Sequence, residues 1–329
     1  MEPKNSKTLM EVLQEYNLSK EDVIFIREAK ENKVWIINDT KNKRWLVLKS
    51  LNKKKTLFPI MLHSQLSEAG FAVPKVLKTT AGQVYIQKKK DYYYLCEYIN
   101  HLEKVNELQR VEALAHFHVH AKSAELMSFN EKIQFPTKEN FLASYLSKLN
   151  ELEKWASSVP SSLLKDAMNE IKQIGLASYT LMQNCDIEAY LQQISNRYSI
   201  CHGDFNSNNT LITEKGNYYI IDFDRAYFGP PLEDFRFLMM SLTRNFKHDP
   251  NPRLTLLFDH YFKIFSEDLN YKEIYRIDSM FPHEFYKQVK EKMEQGKGKN
   301  LSKLEGVLLQ VAAREKRKYD WLIQGSERL

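Results

Sequence analysis

Residues 199–212 read Ser199-Ile200-Cys201-His202-Gly203-Asp204-Phe205-Asn206-Ser207-Asn208-Asn209-Thr210-Leu211-Ile212, and a short turn later Tyr218-Tyr219-Ile220-Ile221-Asp222-Phe223-Asp224 follows. A carboxylate, then an amide, then a second carboxylate form a set of oxygen donors suited to phosphate chemistry around a hard cation. Magnesium prefers oxygen ligands and takes only one or two carboxylates beside phosphate oxygens. Moving a phosphoryl group leaves the protein little covalent work, so catalysis there is positioning plus charge neutralisation. In that chemistry Asp204 is the candidate to face an acceptor hydroxyl, and Asn209 and Asp222 are the candidates to hold magnesium against phosphates. The competing reading is an ordinary hairpin whose Asp and Asn side chains form turns.

Both runs alternate apolar and polar residues, which predicts short strands framing a loop, with a hairpin turn at Glu214-Lys215-Gly216-Asn217. Upstream, apolar spacing predicts a helix over 8–16 and strands over 23–29, 33–38 and 44–49. A helix over 56–69 follows, ending at Gly70, and two further strands fit 84–87 and 92–97. Five short strands with one inserted helix describe a small antiparallel sheet packed on a helix. Tyr92-Tyr93-Tyr94 suits a strand making aromatic cross-strand contacts. After residue 100 the pattern turns helical, over 108–121, 141–155, 163–173 and 186–194 before the motif strands, and over 232–242, 254–265, 285–295 and 301–322 after them. Gly296-Lys297-Gly298-Lys299-Asn300 reads as a flexible joint.

Length and composition set bounds. The chain has 329 residues, 43% hydrophobic and 27% charged, ordinary for a globular protein and long enough for two cores. No apolar run is long enough to span a membrane, and the first residues lack a signal-peptide core, so the cytoplasm is the expected location. The three cysteines are dispersed and odd in number, which suits reduced thiols better than a disulfide frame or zinc site. The net charge of +6 is mild, and no recognition helix or stacking motif accompanies the lysine clusters, so nucleic acid is not an expected partner. His116 and His120 share a helix face, but no third ligand accompanies them, and packing is the better explanation. Asp224 and Arg225 read either as a pair beside the metal or as a plain ion pair.

The expected division is a small lobe over 1–98, carrying the five-stranded sheet and its helix, and a helical lobe over 99–329 with the catalytic loop. That is the arrangement of kinases, with nucleotide in a cleft between lobes. Cys96-Glu97-Tyr98-Ile99 would be the hinge, its backbone at Glu97 and Ile99 pairing with an adenine edge; a plain strand end with a linker is the alternative. Asp204 and Asn209 carry the spacing of the kinase catalytic loop H-R-D-x-x-x-x-N, and Asp222 stands where the D-F-G aspartate follows.

On His202-Gly203-Asp204 with Asn209, Ile221-Asp222-Phe223-Asp224, and Leu114-Ala115-His116-Phe117-His118, the chain resembles the aminoglycoside phosphotransferase and choline kinase superfamily over roughly residues 20–265. Phe281-Pro282-His283-Glu284-Phe285-Tyr286, the lysine-rich helix after it and the Lys49 strand look like the spore-coat CotS family of kinase-like proteins. The resemblance implies an α+β, two-lobed protein-kinase-like fold that uses ATP and Mg2+. It gives Asp204 the base role and Asn209 and Asp222 the metal roles. It makes His202 a brace for the catalytic loop and Lys49 the phosphate-binding lysine of the third strand. Lys49 also reads as one exposed lysine among several. Asp234 resembles the family's loop-bracing aspartate, and a carboxylate favouring a helix N-terminus is a second reading that can hold beside it. Expected partners are a nucleotide and a hydroxyl-bearing small molecule, with other spore-coat proteins for the coat branch.

Two features depart from that pattern. No glycine precedes Gly70, so the turn Ala29-Lys30-Glu31-Asn32 lacks glycine's freedom for close approach to phosphates. Between Ser50 and Gly70 the only acidic residue is Glu68, at the helix end, whereas a kinase lysine is normally held by a glutamate on that helix. Lys49 is then either unpaired or held by another group such as Asp222. Two functions compete: an ATP-dependent phosphotransferase acting on a small-molecule hydroxyl, and a catalytically weak or inactive kinase-like scaffold of the spore coat. An antibiotic-modifying kinase would need an acidic pocket for a cationic drug, and none is legible.

Overall fold

Runs rich in β-branched and aromatic side chains at residues 34–39, 44–52 and 91–97 build the strands around Lys49. The computed structural model describes residues 6–30, 33–52, 57–101, 103–129, 135–244, 251–294 and 301–324. Glu31 and Asn32 of the phosphate-covering turn, and the joint at 296–300, lie outside the described residues. Strands β1 (Val23–Lys30), β2 (Val34–Asp39), β3 (Arg44–Asn52), β4 (Val76–Leu77), β5 (Ile86–Lys88) and β6 (Asp91–Glu97) form one antiparallel sheet in the order β1-β2-β3-β6-β4, with β5 also paired to β6. The expected five strands are six. β4 is two residues long, too short for any periodicity to reveal.

Alternation sorts the side chains onto two faces. Trp35, Ile37, Leu46, Leu48, Tyr93 and Leu95 bury one face against Leu9, Val12 and Leu13 of helix α1 (Ser6–Gln14). Trp35 and Tyr93 stack across that face at 6.4 Å between centroids. The other face presents Val47, Leu51, Tyr94 and Cys96, packed with Ile60 of helix α2 (Phe58–Glu68). Lys49 lies between Val47 and Leu51 in β3, so it shares this second face and pairs in register with Tyr94. α2 begins with proline in its first turn and ends at Ala69, before Gly70 at φ +74°.

By internal packing the chain divides into two units. One comprises Met1–Ala113, Phe117–Ile133 and Ile200–Phe228; the other comprises Leu114–His116, Gln134–Ser199 and Gly229–Leu329. Helix α3 (Glu107–His120) opens on a capping box, in which Asn106 and Gln109 bond each other's backbone amides. The first unit also holds β7 (Glu103–Lys104), β9 (Thr210–Ile212) and β10 (Tyr218–Ile220), a three-stranded sheet in the order β10-β9-β7, and the pair β8 (Ile200–Cys201) with β11 (Tyr227–Phe228). The hairpin turn forms where expected, closed by Thr213 N–H to Asn217 O and Gly216 N–H to Thr213 O, both 2.9 Å.

The second unit contains α4 (Lys138–Ser158), α5 (Ser162–Gln183), α6 (Ile187–Asn196), α7 (Leu232–Thr243), α8 (Asn251–Ile264), α9 (Lys272–Met280), α10 (His283–Glu294) and α11 (Leu301–Gln324). α5 runs ten residues beyond its expected end at 173, and α9 has no counterpart among the expected helices. A core of Leu152, Met168, Ile171, Phe285, Val289, Leu308 and Val311 joins α4, α5, α10 and α11. Asp278 of α9 is buried between Arg236, at 2.7 and 2.9 Å, and the Tyr145 hydroxyl. Burial alone would raise its carboxyl pKa, but the Arg236 guanidinium outweighs that and holds it well below the usual carboxylate range. No described helix is long and apolar enough to cross a membrane.

Candidate active site

The loop between β8 and β9 carries His202, Asp204 and Asn209, and the turn after β10 carries Asp222. Backbone demands fix both. Asp222 has φ 68° and ψ 64°, a left-handed conformation, and starts a 3-10 turn over Phe223–Arg225. Asp and Asn enter that region more readily than most residues. Gly203 has φ +75°, and a Cβ there would sit 2.2 Å from the Arg225 carbonyl oxygen. The loop and the turn therefore touch backbone to backbone where only glycine fits. We expect Gly203→Ala to cost about 2–4 kcal/mol, from the strained φ plus the displaced carbonyl. Gly216, at φ +79° with open space around it, should cost only about 1–2 kcal/mol as alanine. Urea midpoints of the two variants check the difference; equal losses would deny the close approach at Gly203.

His202 ties the loop to the turn. Its ring is fully buried among Phe117, Phe205 and Phe223. Nε2 lies 3.0 Å from the Ile221 carbonyl, which can only accept, so Nε2 carries the proton. Nδ1 accepts from the Asp204 N–H at 3.3 Å. One neutral imidazole thus links the residue before Asp222 to Asp204 itself. Asn209 Nδ2 donates to the Asp204 carbonyl oxygen at 2.9 Å, and the Ile221 N–H donates to Asn209 O at 2.9 Å. One N–H of that amide goes to Asp204, and the Asn209 Oδ1 is the atom that could serve as a ligand.

The Asp204 carboxylate is 37% exposed, accepts from Asn206 Nδ2 at 3.1 Å, and lies 3.9 Å from Arg225 Nε. Lys49 Nζ donates to Asp222 Oδ1 at 2.9 Å and lies 3.6 Å from Asp224 Oδ1. Of the two alternatives left by the sequence, the lysine held by Asp222 is the one observed. Burial would lower the Lys49 pKa, but the Tyr94 oxygen and the Asp224 and Asp222 carboxylates outweigh it and raise it, so the ammonium stays charged. Asp224 and Arg225 do not pair with each other as described: Asp224 turns to Lys49, and Arg225 to Asp204.

Lys49, Asn209, Asp222, Asp224, Glu97 and Ile99 line one cavity of about 300 Å³, together with Val34, Ile36, Val47, His63 and Cys96. All of these residues belong to the first unit. At the strand end the Glu97 and Tyr98 N–H groups are spent on Lys75 O and Trp45 O. Asp234 is in the second unit, fully buried in the first turn of α7, where a carboxylate is favoured by the helix N-terminus. Sequence reading missed Asn206 and His63. Asn206 stood in plain view in the loop, and His63 was hidden among the buried residues Phe58, Pro59, Ile60 and Leu62 of the first half of α2.

The donor set fits magnesium. Asn209 Oδ1, Asp222 and Asp224 are hard oxygen ligands. The one thiol at the cavity, Cys96, has its pKa pushed up by burial to about 12, so it is not a thiolate ligand. Among the described residues no cluster of three or more His, Cys, Asp and Glu could hold a metal ion.

The whole chain superposes on solved phosphotransferases. An aminoglycoside phosphotransferase from Alicyclobacillus acidocaldarius matches with a TM-score of 0.73 at 18% identity, covering 97% of this chain and 96% of that one. An AMP-bound spectinomycin phosphotransferase matches with a TM-score of 0.59 at 14% identity, covering 93% and 97%. Its complex with ADP and spectinomycin matches with 0.51 at 12% identity, covering 94% and 98%. These likenesses define the fold as α+β and protein-kinase-like, as expected from the motifs. Residues 22–262 match the APH phosphotransferase enzyme family, and the chain belongs to that family.

Proposed function

We propose that this protein transfers the γ-phosphoryl group of ATP to a hydroxyl of a small molecule in the cytoplasm. The observation that carries the reading is the convergence of Lys49, Asn209 and Asp222 on one cavity, with Asp204 bonded directly to Asn209. Asp204 orients the acceptor hydroxyl and takes its proton as the new oxygen–phosphorus bond forms and the bond to the departing ADP breaks. Lys49 leaves Asp222 for phosphate oxygens. Asn209 and Asp222 would hold magnesium, which would supply neutralising charge to the phosphates. The backbone at Ile99 and Glu97, which line the cavity, would pair with the adenine edge. His202 braces the catalytic loop, Asp234 serves the first turn of its own helix α7, and the chain divides functionally near residue 98. Nucleotide use is supported by the AMP- and ADP-bound relatives.

A second reading is favoured by one observation: Lys49 is held by Asp222 and Asp224, and α2 supplies no carboxylate to it among the described residues. In that reading the protein is a kinase-like binding component with slow or absent transfer. A place in the spore coat rests on the tail resemblance at 281–286. Thermal unfolding separates the two. Ligand at 100 times its dissociation constant stabilises by about 2.7 kcal/mol, so magnesium-ATP should raise Tm visibly. A shift with turnover supports the transferase, a shift without turnover supports the binding component, and no shift at millimolar nucleotide contradicts both as nucleotide proteins.

A further inference from the structure

His63 is an unusual residue to find in the wall of the cavity that Lys49 lines. It projects from the middle of α2, is 3% exposed, and lines the same cavity as Lys49, Asn209 and Asp222. Its ring packs on Phe223, the residue after Asp222, at 5.2 Å, and edge-on to Tyr94 at 5.8 Å. Nε2 lies 2.8 Å from the Pro74 carbonyl oxygen. A carbonyl only accepts, so the proton is on Nε2 and Nδ1 presents a lone pair. That Nδ1 is buried and has no hydrogen-bond partner among the described residues. An unmatched buried acceptor is uncommon and costs stability. A donor that shares this cavity is the Lys49 ammonium, whose register partner Tyr94 is the ring that His63 meets edge-on and whose charge is felt at the imidazole. Burial first, and the Lys49 charge second, push the His63 pKa down to about 3, against the opposing bond to Pro74. The ring is therefore neutral and fixed as an acceptor.

An ammonium carries three donors. In the free protein Lys49 directs one to Asp222, with Asp224 close by. Magnesium and triphosphate would compete for those same carboxylates, and the lysine then needs another anchor. Kinases supply it as a glutamate on the helix that follows the lysine strand. We infer that His63 is the positioning residue that supplies this anchor from α2, its Nδ1 accepting from Lys49 Nζ when Asp222 and Asp224 turn to a bound magnesium-nucleotide. The inference rests on the reading of this cavity as the nucleotide site. The exchange has a physical consequence. A glutamate would cancel the lysine's charge, whereas an imidazole leaves it whole for the phosphates, which strengthens attraction in a site with no glycine before Gly70 to cradle them.

The test compares magnesium-ATP with adenosine, which lacks phosphates, by calorimetry on the wild type, His63→Leu and His63→Glu. His63→Leu should weaken magnesium-ATP about tenfold, the loss of one hydrogen bond to a charged group, and leave adenosine unchanged. His63→Glu should recover most of the loss. Unchanged magnesium-ATP affinity in His63→Leu, or an equal loss for both ligands, overturns the inference, the second outcome marking a merely structural residue. A wild type that binds no magnesium-ATP overturns the nucleotide reading itself, and this inference with it. Should His63→Leu fail to fold, nitrogen NMR of the wild-type imidazole decides: magnesium-ATP should move the Nδ1 resonance upfield as its lone pair accepts, and a bound nucleotide that leaves it unmoved contradicts the proposal.

Discussion

Asp204→Ala is expected to slow phosphoryl transfer by about 10²–10⁴-fold, the usual range for a general base, while leaving magnesium-ATP affinity unchanged. The structure separates the two effects. Asn209 is anchored by the Asp204 backbone carbonyl, not by its carboxylate, so truncating the side chain keeps the metal-side amide in place. His202 likewise bonds the Asp204 N–H. What alanine removes is the partly exposed carboxylate that accepts from Asn206 and would face an acceptor hydroxyl. Single-turnover transfer from labelled ATP, with water as acceptor where no better one is known, measures the rate. Equal rates in wild type and variant would take Asp204 out of catalysis.

Asp222→Asn should abolish the magnesium dependence of nucleotide binding and lower turnover by about 10³-fold, since the ion's charge stabilisation is worth several kcal/mol. Asparagine is the informative substitution because it tolerates the left-handed backbone at φ 68°, so the turn over Phe223–Arg225 keeps its shape. Alanine would mix backbone strain into the result. The variant also removes the charge that Lys49 meets at 2.9 Å, leaving Asp224 at 3.6 Å as the remaining carboxylate. Titration with ATP in magnesium and in EDTA should give one affinity in the variant and two in the wild type. A variant that still gains affinity from magnesium would place the ion elsewhere.

The catalytic loop was legible because its chemistry and its backbone constrain residue type within a short stretch. Asp222 sits in a conformation that few residues adopt, and Gly203 in a contact that only glycine permits, so the motif is recorded locally. The sheet was legible for a similar reason: β2, β3 and β6 are runs of apolar and aromatic residues long enough to read as strands. β4 and β7, at two residues each, carry no period, and their place is set by partners far along the chain. α9 is nine residues, shorter than the window over which a helical period reads clearly. The partner of Lys49 lies 173 positions away, so sequence could name Asp222 only as one option. His63 is the clearest loss. Phe58, Pro59, Ile60, Leu62, Ser64 and Leu66 are all buried around it, and a histidine among them reads as core until the unmatched Nδ1 is seen.

Asn209 and Asp222 are proposed to hold an ion against a triphosphate that Lys49 grips, and a crystal structure with magnesium and a non-hydrolysable ATP analogue would show whether they do. The ion should bind Asn209 Oδ1 and the Asp222 carboxylate, with Lys49 Nζ moved from Asp222 onto phosphate oxygen and the Ile99 N–H on the adenine edge. A nucleotide bound away from these residues, or seated in the cavity with the Lys49–Asp222 pair still closed and no ion between Asn209 and Asp222, would contradict it.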